Sequence, residues 1–174
     1  IDAGCEYQDY AADITRTFPV NGKFSSAQAA IYDIVLAAQA AAIEVIAPGL
    51  EYHLANDATV RVITQGLVDL KILNGDVDEL IEQGAHRDFY MHNAGHWLGM
   101  DVHDVGDYKI EGQWRVYEPG MVVTIEPGIY IAPGNPNVDK KWHGIAVRIE
   151  DDIVVTKSGN ENITSGVPKT RDQI

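Results

Sequence analysis

Apolar residues recur at helical spacing in two stretches of the chain and alternate with polar ones in the segments that follow. From about Ser26 to Ala47, Ile31, Val35, Ala38 and Ala42 fall on one face of a 3.6-residue helix. Ser25 and Ser26 offer N-caps, and Pro48-Gly49 ends the element. Leu54, Ala58, Val62 and Leu67 repeat the spacing in a second helix from about His53 to Leu70, and Asp76 to Gln83 reads as a short helical piece. Ile1 to Val20 reads as extended chain broken by Gly4, with a turn at Asn21-Gly22. Further on, Val122, Thr124 and Glu126 share one strand face opposite Met121, Val123 and Ile125. Ala146, Arg148 and Glu150 likewise share a face opposite Ile145, Val147 and Ile149, and Ile153 to Thr156 forms a further strand after a polar Asp151-Asp152 turn. The order predicts an α+β domain over residues 1–174, with helices on one side of a mostly antiparallel sheet.

Composition leaves this picture in place and adds a charge bias. With 45% hydrophobic and 22% charged residues, the chain can bury a real core. Gln28, Tyr32, Asp33, Gln39 and Glu44 interrupt the Ala27–Ala47 stretch, so no membrane partner is expected. A formal net charge of −13 argues against a nucleic-acid partner. Most of that charge reads as solvated acidic surface. The single Cys5 excludes an internal disulfide, suits a reducing, cytoplasmic location, and is expected as a small, partly buried hydrophobe.

Some carboxylates fall where strands should be buried. Asp13 lies within Ala12-Asp13-Ile14-Thr15, Glu126 and Glu150 end alternating strands, and Asp2 sits between Ile1 and Ala3. Taken singly, each reads as a cap, a turn residue or an ion-pair partner. Together they are costly to bury without compensation, and few basic residues stand nearby to supply it. His96 fits as a nitrogen donor. Four carboxylates and one imidazole suit a pair of divalent ions, with Mn²⁺, Co²⁺ or Zn²⁺ as candidates. His92 and His96 are four apart, but Asn93 and Gly95 between them exclude the helical HExxH zinc motif.

Six segments then occur in order: Asp2-Ala-Gly-Cys-Glu-Tyr7; Asp13-Ile-Thr-Arg-Thr-Phe-Pro19; His96-Trp-Leu-Gly99 with Asp101-Val-His-Asp-Val-Gly106; Glu118-Pro-Gly-Met121; Thr124-Ile-Glu-Pro-Gly-Ile-Tyr130; and Gly144-Ile-Ala-Val-Arg-Ile-Glu-Asp151. The chain resembles the pita-bread metallopeptidases, and within them the Xaa-Pro aminopeptidases of the bacterial aminopeptidase P type. The resemblance implies two metal ions, with Mn²⁺ the first candidate. Asp13 and Glu150 would bridge them, Asp2 would hold one, and His96 with Glu126 the other. It implies that a water between the ions attacks the scissile carbonyl, with Glu126 moving the proton. His92 and His103 would be catalytic, substrate-contacting histidines, and Tyr108 and Arg148 further pocket residues. The implied partner is a peptide with proline in second place. A prolidase acting on Xaa-Pro dipeptides and an inactive peptide-binding module are the alternatives. Trp97, Trp114 and Trp142 read as core or interface residues.

Two departures accompany the resemblance. Asn93 stands where the family has glycine, a change Asn tolerates in a turn. The family's catalytic domain also has two helices and a strand ahead of the strand bearing Asp2, a substrate histidine within that stretch, and a further domain before it. The chain is therefore read as an N-terminally truncated catalytic domain, expected to form a homo-oligomer through the apolar surface those elements would cover.

Overall fold

The computed structural model describes residues 1–174. Four two-residue strands come first: β1 (Asp2–Ala3), β2 (Glu6–Tyr7), β3 (Tyr10–Ala11) and β4 (Ile14–Thr15). Helices α1 (Ser26–Glu44), α2 (His53–Asp69) and α3 (Val77–Glu82) follow. The second half holds β5 (Lys109–Ile110), β6 (Gln113–Trp114), β7 (Val122–Ile125), β8 (Gly128–Tyr130), β9 (Ala146–Arg148), β10 (Asp151–Val155) and β11 (Asn160–Asn162). Every strand pairing is antiparallel, giving the expected α+β arrangement.

Helix α1 begins where its cap dictates. The Ser25 hydroxyl accepts from the Gln28 amide at 3.2 Å, and the Gln28 side chain accepts from the Ser25 amide at 2.9 Å, a complete capping box. A Ser25→Ala chain should lose about 1 kcal/mol of stability by chemical denaturation. No change would mean that tertiary packing alone sets this end.

By length and composition α1 is apolar enough to cross a membrane, despite its polar interruptions. Ile31, Tyr32, Val35, Ala38 and Ala42 are nevertheless wholly buried. They pack against α2 and the strands, as a core helix does. The larger core lies between α1, α2 and the β8–β9 pair, and includes Ile63, Leu67, Ile129, Val147 and Ile149. A smaller one gathers Trp97, Tyr117, Val123, Ile125 and Ile153.

One register positions the site. In the β7–β10 ladder Ile125 stands opposite Asp151, and in the β8–β9 ladder Gly128 stands opposite Arg148. The two ladders therefore share a register, which sets Glu126 opposite Glu150 and Pro127 opposite Ile149. Pro127 has no N–H to donate, so the ladder opens there, with Ile149 N–H still reaching the Pro127 carbonyl at 3.3 Å. On the other side of β7, residues 94–98 run alongside. Thr124 N–H donates to the His96 carbonyl at 3.0 Å, and Glu126 N–H to the Ala94 carbonyl at 2.7 Å.

Several expectations need correction. Asp151 and Asp152 are not a turn but the first two residues of β10, 0% and 1% exposed. Asp151 is tolerated there because Arg16, Lys169, Asn162 and Thr164 all donate to it. Cys5 is exposed rather than partly buried, since it lies in an all-exposed stretch from Ile1 to Tyr10. That extended segment is cut into short hairpin pieces, with Gln8 and Asp9 in left-handed conformations at the β2–β3 turn.

Candidate metal centre

Strand alternation and loop geometry deliver the acidic residues to one place. Asp13, the residue before β4, is 8% exposed, and its amide donates to the Asp152 carboxylate at 3.2 Å. Glu126 and Glu150 occupy the opened step of the ladder, on the same face as Thr124, Arg148 and Asp152. Asp2 on β1 pairs across to Thr15, and its carboxylate is held by the Arg148 guanidinium. His96 comes from the segment beside β7. Its loop can approach that closely because Gly95 has no Cβ; one there would run into the Thr124 carbonyl.

All nine residues singled out in the sequence line a single cleft of about 570 Å³, joined by Asn93 and Gly95. Three triads within it bring their ligand atoms to within 4.8 Å of one another: Asp2, Asp13 and Glu150; His96, Glu126 and Glu150; and Asp13, His96 and His103. Asp13, His96 and Glu150 each recur in two triads, so the three groups form one continuous cluster.

The two inner histidines differ in what their rings can offer. His96 Nδ1 lies 2.9 Å from the Trp97 carbonyl and must donate to it, which leaves Nε2 with a lone pair. That Nε2 is buried without a hydrogen-bond partner, 3.5 Å from both Asp13 and Glu126. A buried lone pair aimed at carboxylates is what a metal ligand requires, and a carbonyl on the far nitrogen is the usual way to orient one. His92 also donates Nδ1–H to a carbonyl, that of Asn93 at 2.8 Å, but its Nε2 accepts the Tyr130 hydroxyl at 2.8 Å. His92 thus keeps no free lone pair and sits at the side of the cleft. His103 is exposed at the rim, packed edge-on against His96 at 4.3 Å between ring centroids.

The electrostatics fit cations. Burial, reinforced by the charges of Glu126 and Asp13, pushes Glu150 up to about 8, even though the Thr15 hydroxyl donates to it at 2.6 Å. Burial also raises Asp13, with the Asp2 charge adding to it. Burial raises Glu126 against the opposing pull of His92, His96 and Arg148. Protons would have to stand in for positive charge here. An oxygen-rich donor set with one free imidazole nitrogen therefore fits divalent ions.

Arg148 is not the ion-pair partner of Glu150 that its strand neighbourhood suggests. It holds Asp2 and donates from Nε to the Thr15 hydroxyl at 3.1 Å, which in turn donates to Glu150. Tyr108 stacks on Trp97 at 5.6 Å and separates the cleft from a second, aromatic cavity of about 420 Å³ lined by Tyr52, Trp114 and Tyr117. Trp97 and Trp142 are buried in the core, whereas Trp114 is 37% exposed and lines that second cavity. Sequence reasoning gave no role to Tyr130, Thr15 or Thr124. Tyr130 could have been found by extending the alternation from Glu126 through Gly128, whereas Thr15 and Thr124 act through long-range contacts that no local pattern signals.

The profile of metallopeptidase family M24 matches residues 1–157. The chain belongs to metallopeptidase family M24. This M24 chain is 59% identical over 169 residues to a Haemophilus influenzae Xaa-Pro aminopeptidase, covering 97% of the chain and 39% of that protein. It is 56% identical to the Escherichia coli Xaa-Pro aminopeptidase, with 100% and 39% covered. Among solved structures, Pseudomonas aeruginosa aminopeptidase PepP superimposes with a TM-score of 0.97 at 65% identity, covering 98% of the M24 chain and 39% of that one. The M24 chain thus spans about two fifths of the length of these relatives.

Proposed function

We propose that the chain is the catalytic portion of an aminopeptidase that releases the first residue from peptides with proline in second place. The observation that carries this reading is the free His96 Nε2 facing Asp13 and Glu126 in a cleft lined by all nine site residues. The relatives named Xaa-Pro aminopeptidase supply the substrate class.

Asp2, Asp13, His96, Glu126 and Glu150 would hold two divalent ions, Mn²⁺ first given the excess of oxygen donors, with Co²⁺ or Zn²⁺ as alternatives. When bound, the ions supply a nucleophile at neutral pH and polarise the scissile carbonyl. The remaining work belongs to the chain. Glu126, beside the reacting position and raised by burial, accepts a proton and returns it to the leaving amine. His103 at the rim donates to the carbonyl oxygen as charge develops there. His92, steadied by Asn93 and Tyr130, faces the proline side together with Arg148 and Tyr108.

Metal analysis combined with cleavage of an Xaa-Pro-Xaa tripeptide and an Xaa-Pro dipeptide tests this reading. About two Mn²⁺ per chain and tripeptide cleavage abolished by EDTA are expected. Dipeptide cleavage alone would favour a prolidase, and fewer than one metal with no cleavage would defeat the proposal for this chain. Arg148→Lys should lower kcat/KM by about tenfold, mostly through KM, because one ammonium cannot reproduce the separated Nε and terminal donors that reach the Thr15 hydroxyl and Asp2. Steady-state kinetics that leave KM unmoved would remove Arg148 from the substrate pocket.

A further inference from the structure

Arg16 lies outside the cleft but bonds to the backbone beside three of its acids. Its side chain is nearly buried and every N–H donor is used. Nε donates to the Pro168 carbonyl at 2.9 Å. One terminal nitrogen donates to the Thr15 and Glu150 carbonyls at 2.9 and 2.7 Å. The other donates to the Asp151 carboxylate at 2.7 Å and the Val167 carbonyl at 3.0 Å. Its own backbone pairs with Ile1 in both directions, next to Asp2. The Thr15 carbonyl that it engages also accepts the Glu150 amide at 3.1 Å.

We propose that Arg16 is the positioning residue of the metal centre, its planar fork fixing the spacing between the strand after Asp13 and the backbone of Glu150. The inference rests on the metal-binding reading above. A buried arginine paired with an aspartate could serve folding alone, and Lys169 gives the contrast that separates the two roles. Lys169 also pairs with Asp151, at 2.5 Å, but its other partner is the Gln39 side chain at 2.9 Å, and it touches neither Thr15 nor Glu150. A role confined to neutralising Asp151 would make the two cations equivalent. A positioning role makes Arg16 special, because only a rigid guanidinium can hold two backbone carbonyls and a carboxylate at fixed angles.

The experiment compares the wild-type chain with Arg16→Lys and Lys169→Met, reading Mn²⁺ affinity by calorimetry and exchange of the Glu150 amide in the metal-free state. Arg16→Lys should weaken Mn²⁺ binding by about 10- to 100-fold, the range for losing a group that orients ligands. The Glu150 amide should also exchange at least about tenfold faster, because its acceptor on Thr15 is no longer fixed. Lys169→Met should lower the melting temperature and leave both readouts near wild type. Should Arg16→Lys not fold, Arg16→Gln removes the fork while leaving Asp151 paired with Lys169, Asn162 and Thr164, and it should show the same losses. Wild-type behaviour of the Arg16 variants, or equal losses in Lys169→Met, overturns the proposal. A wild-type chain that binds no Mn²⁺ would instead defeat the metal-binding reading, while amide exchange would still decide the role of Arg16.

Discussion

Replacing Glu126 with glutamine is expected to cut turnover of an Xaa-Pro peptide by about 10²- to 10⁴-fold, the contribution of a positioned proton-transfer group. That corresponds to roughly 3 to 5 kcal/mol of barrier. Glutamine keeps the size of the side chain and can still face Thr124, whose hydroxyl lies 3.5 Å from the Glu126 carboxylate. What it loses is the charge and the capacity to take up a proton. Glu126 stands directly across the opened ladder from Glu150 and 3.5 Å from His96 Nε2. The loss should therefore appear in kcat with KM little changed. Measuring metal content alongside separates its two jobs. Activity restored by excess Mn²⁺ would mean that only ligation was lost, whereas a full metal complement with no turnover identifies the proton-transfer role. A kcat within tenfold of wild type would remove Glu126 from the chemistry.

This prediction rests on residues that were legible in the sequence, and the reason is physical. An ionisable side chain inside an alternating strand violates the pattern around it, so Asp13, Glu126 and Glu150 announced themselves by position. The helices were legible too, because Ser25 and Asp76 cap the starts of α1 and α3 and the apolar face of α1 was read directly. Helix α2, however, buries Ala55, Thr59, Ile63 and Leu67, leaving the expected Leu54, Ala58 and Val62 only half-buried, because buried threonines hide its inner face from an apolar pattern. Register was not legible. That Glu126 opposes Glu150 follows from two ladders in phase across Pro127, and nothing local encodes which strand pairs with which. Asp151 was misread for the same reason. Two adjacent aspartates look like a turn unless one knows that Arg16, 135 positions earlier, and Lys169 fold back onto the first. Strands of two or three residues, such as β5, β6 and β11, are too short for a period to show.

The second large effect is a stability that falls with pH in the metal-free chain and stops falling once metal is added. Glu150 is 2% exposed, and its pKa rises from 4.5 to about 8 on folding. Burial raises Asp13 and Glu126 in the same direction. For an acid whose folded value is raised, the folded state holds the proton more tightly than the unfolded state. Its stabilising contribution is then complete below about pH 4.5 and is lost as pH climbs through about 8. The loss from Glu150 should be on the order of a few kcal/mol across that window. His86, lowered by burial and by Arg87, opposes this trend at pH values up to its unfolded value of 6.5, so the clearest comparison lies between about pH 7 and 8. Bound divalent ions reverse the sign, because they need the carboxylates ionised and compete with protons for them. Denaturant melts in EDTA should therefore lose stability from pH 7 to 8, while melts with saturating Mn²⁺ should hold steady or gain. Parallel pH profiles in the two conditions would mean that the buried carboxylates and the added ions do not meet, and the cleft would lose its standing as a metal centre.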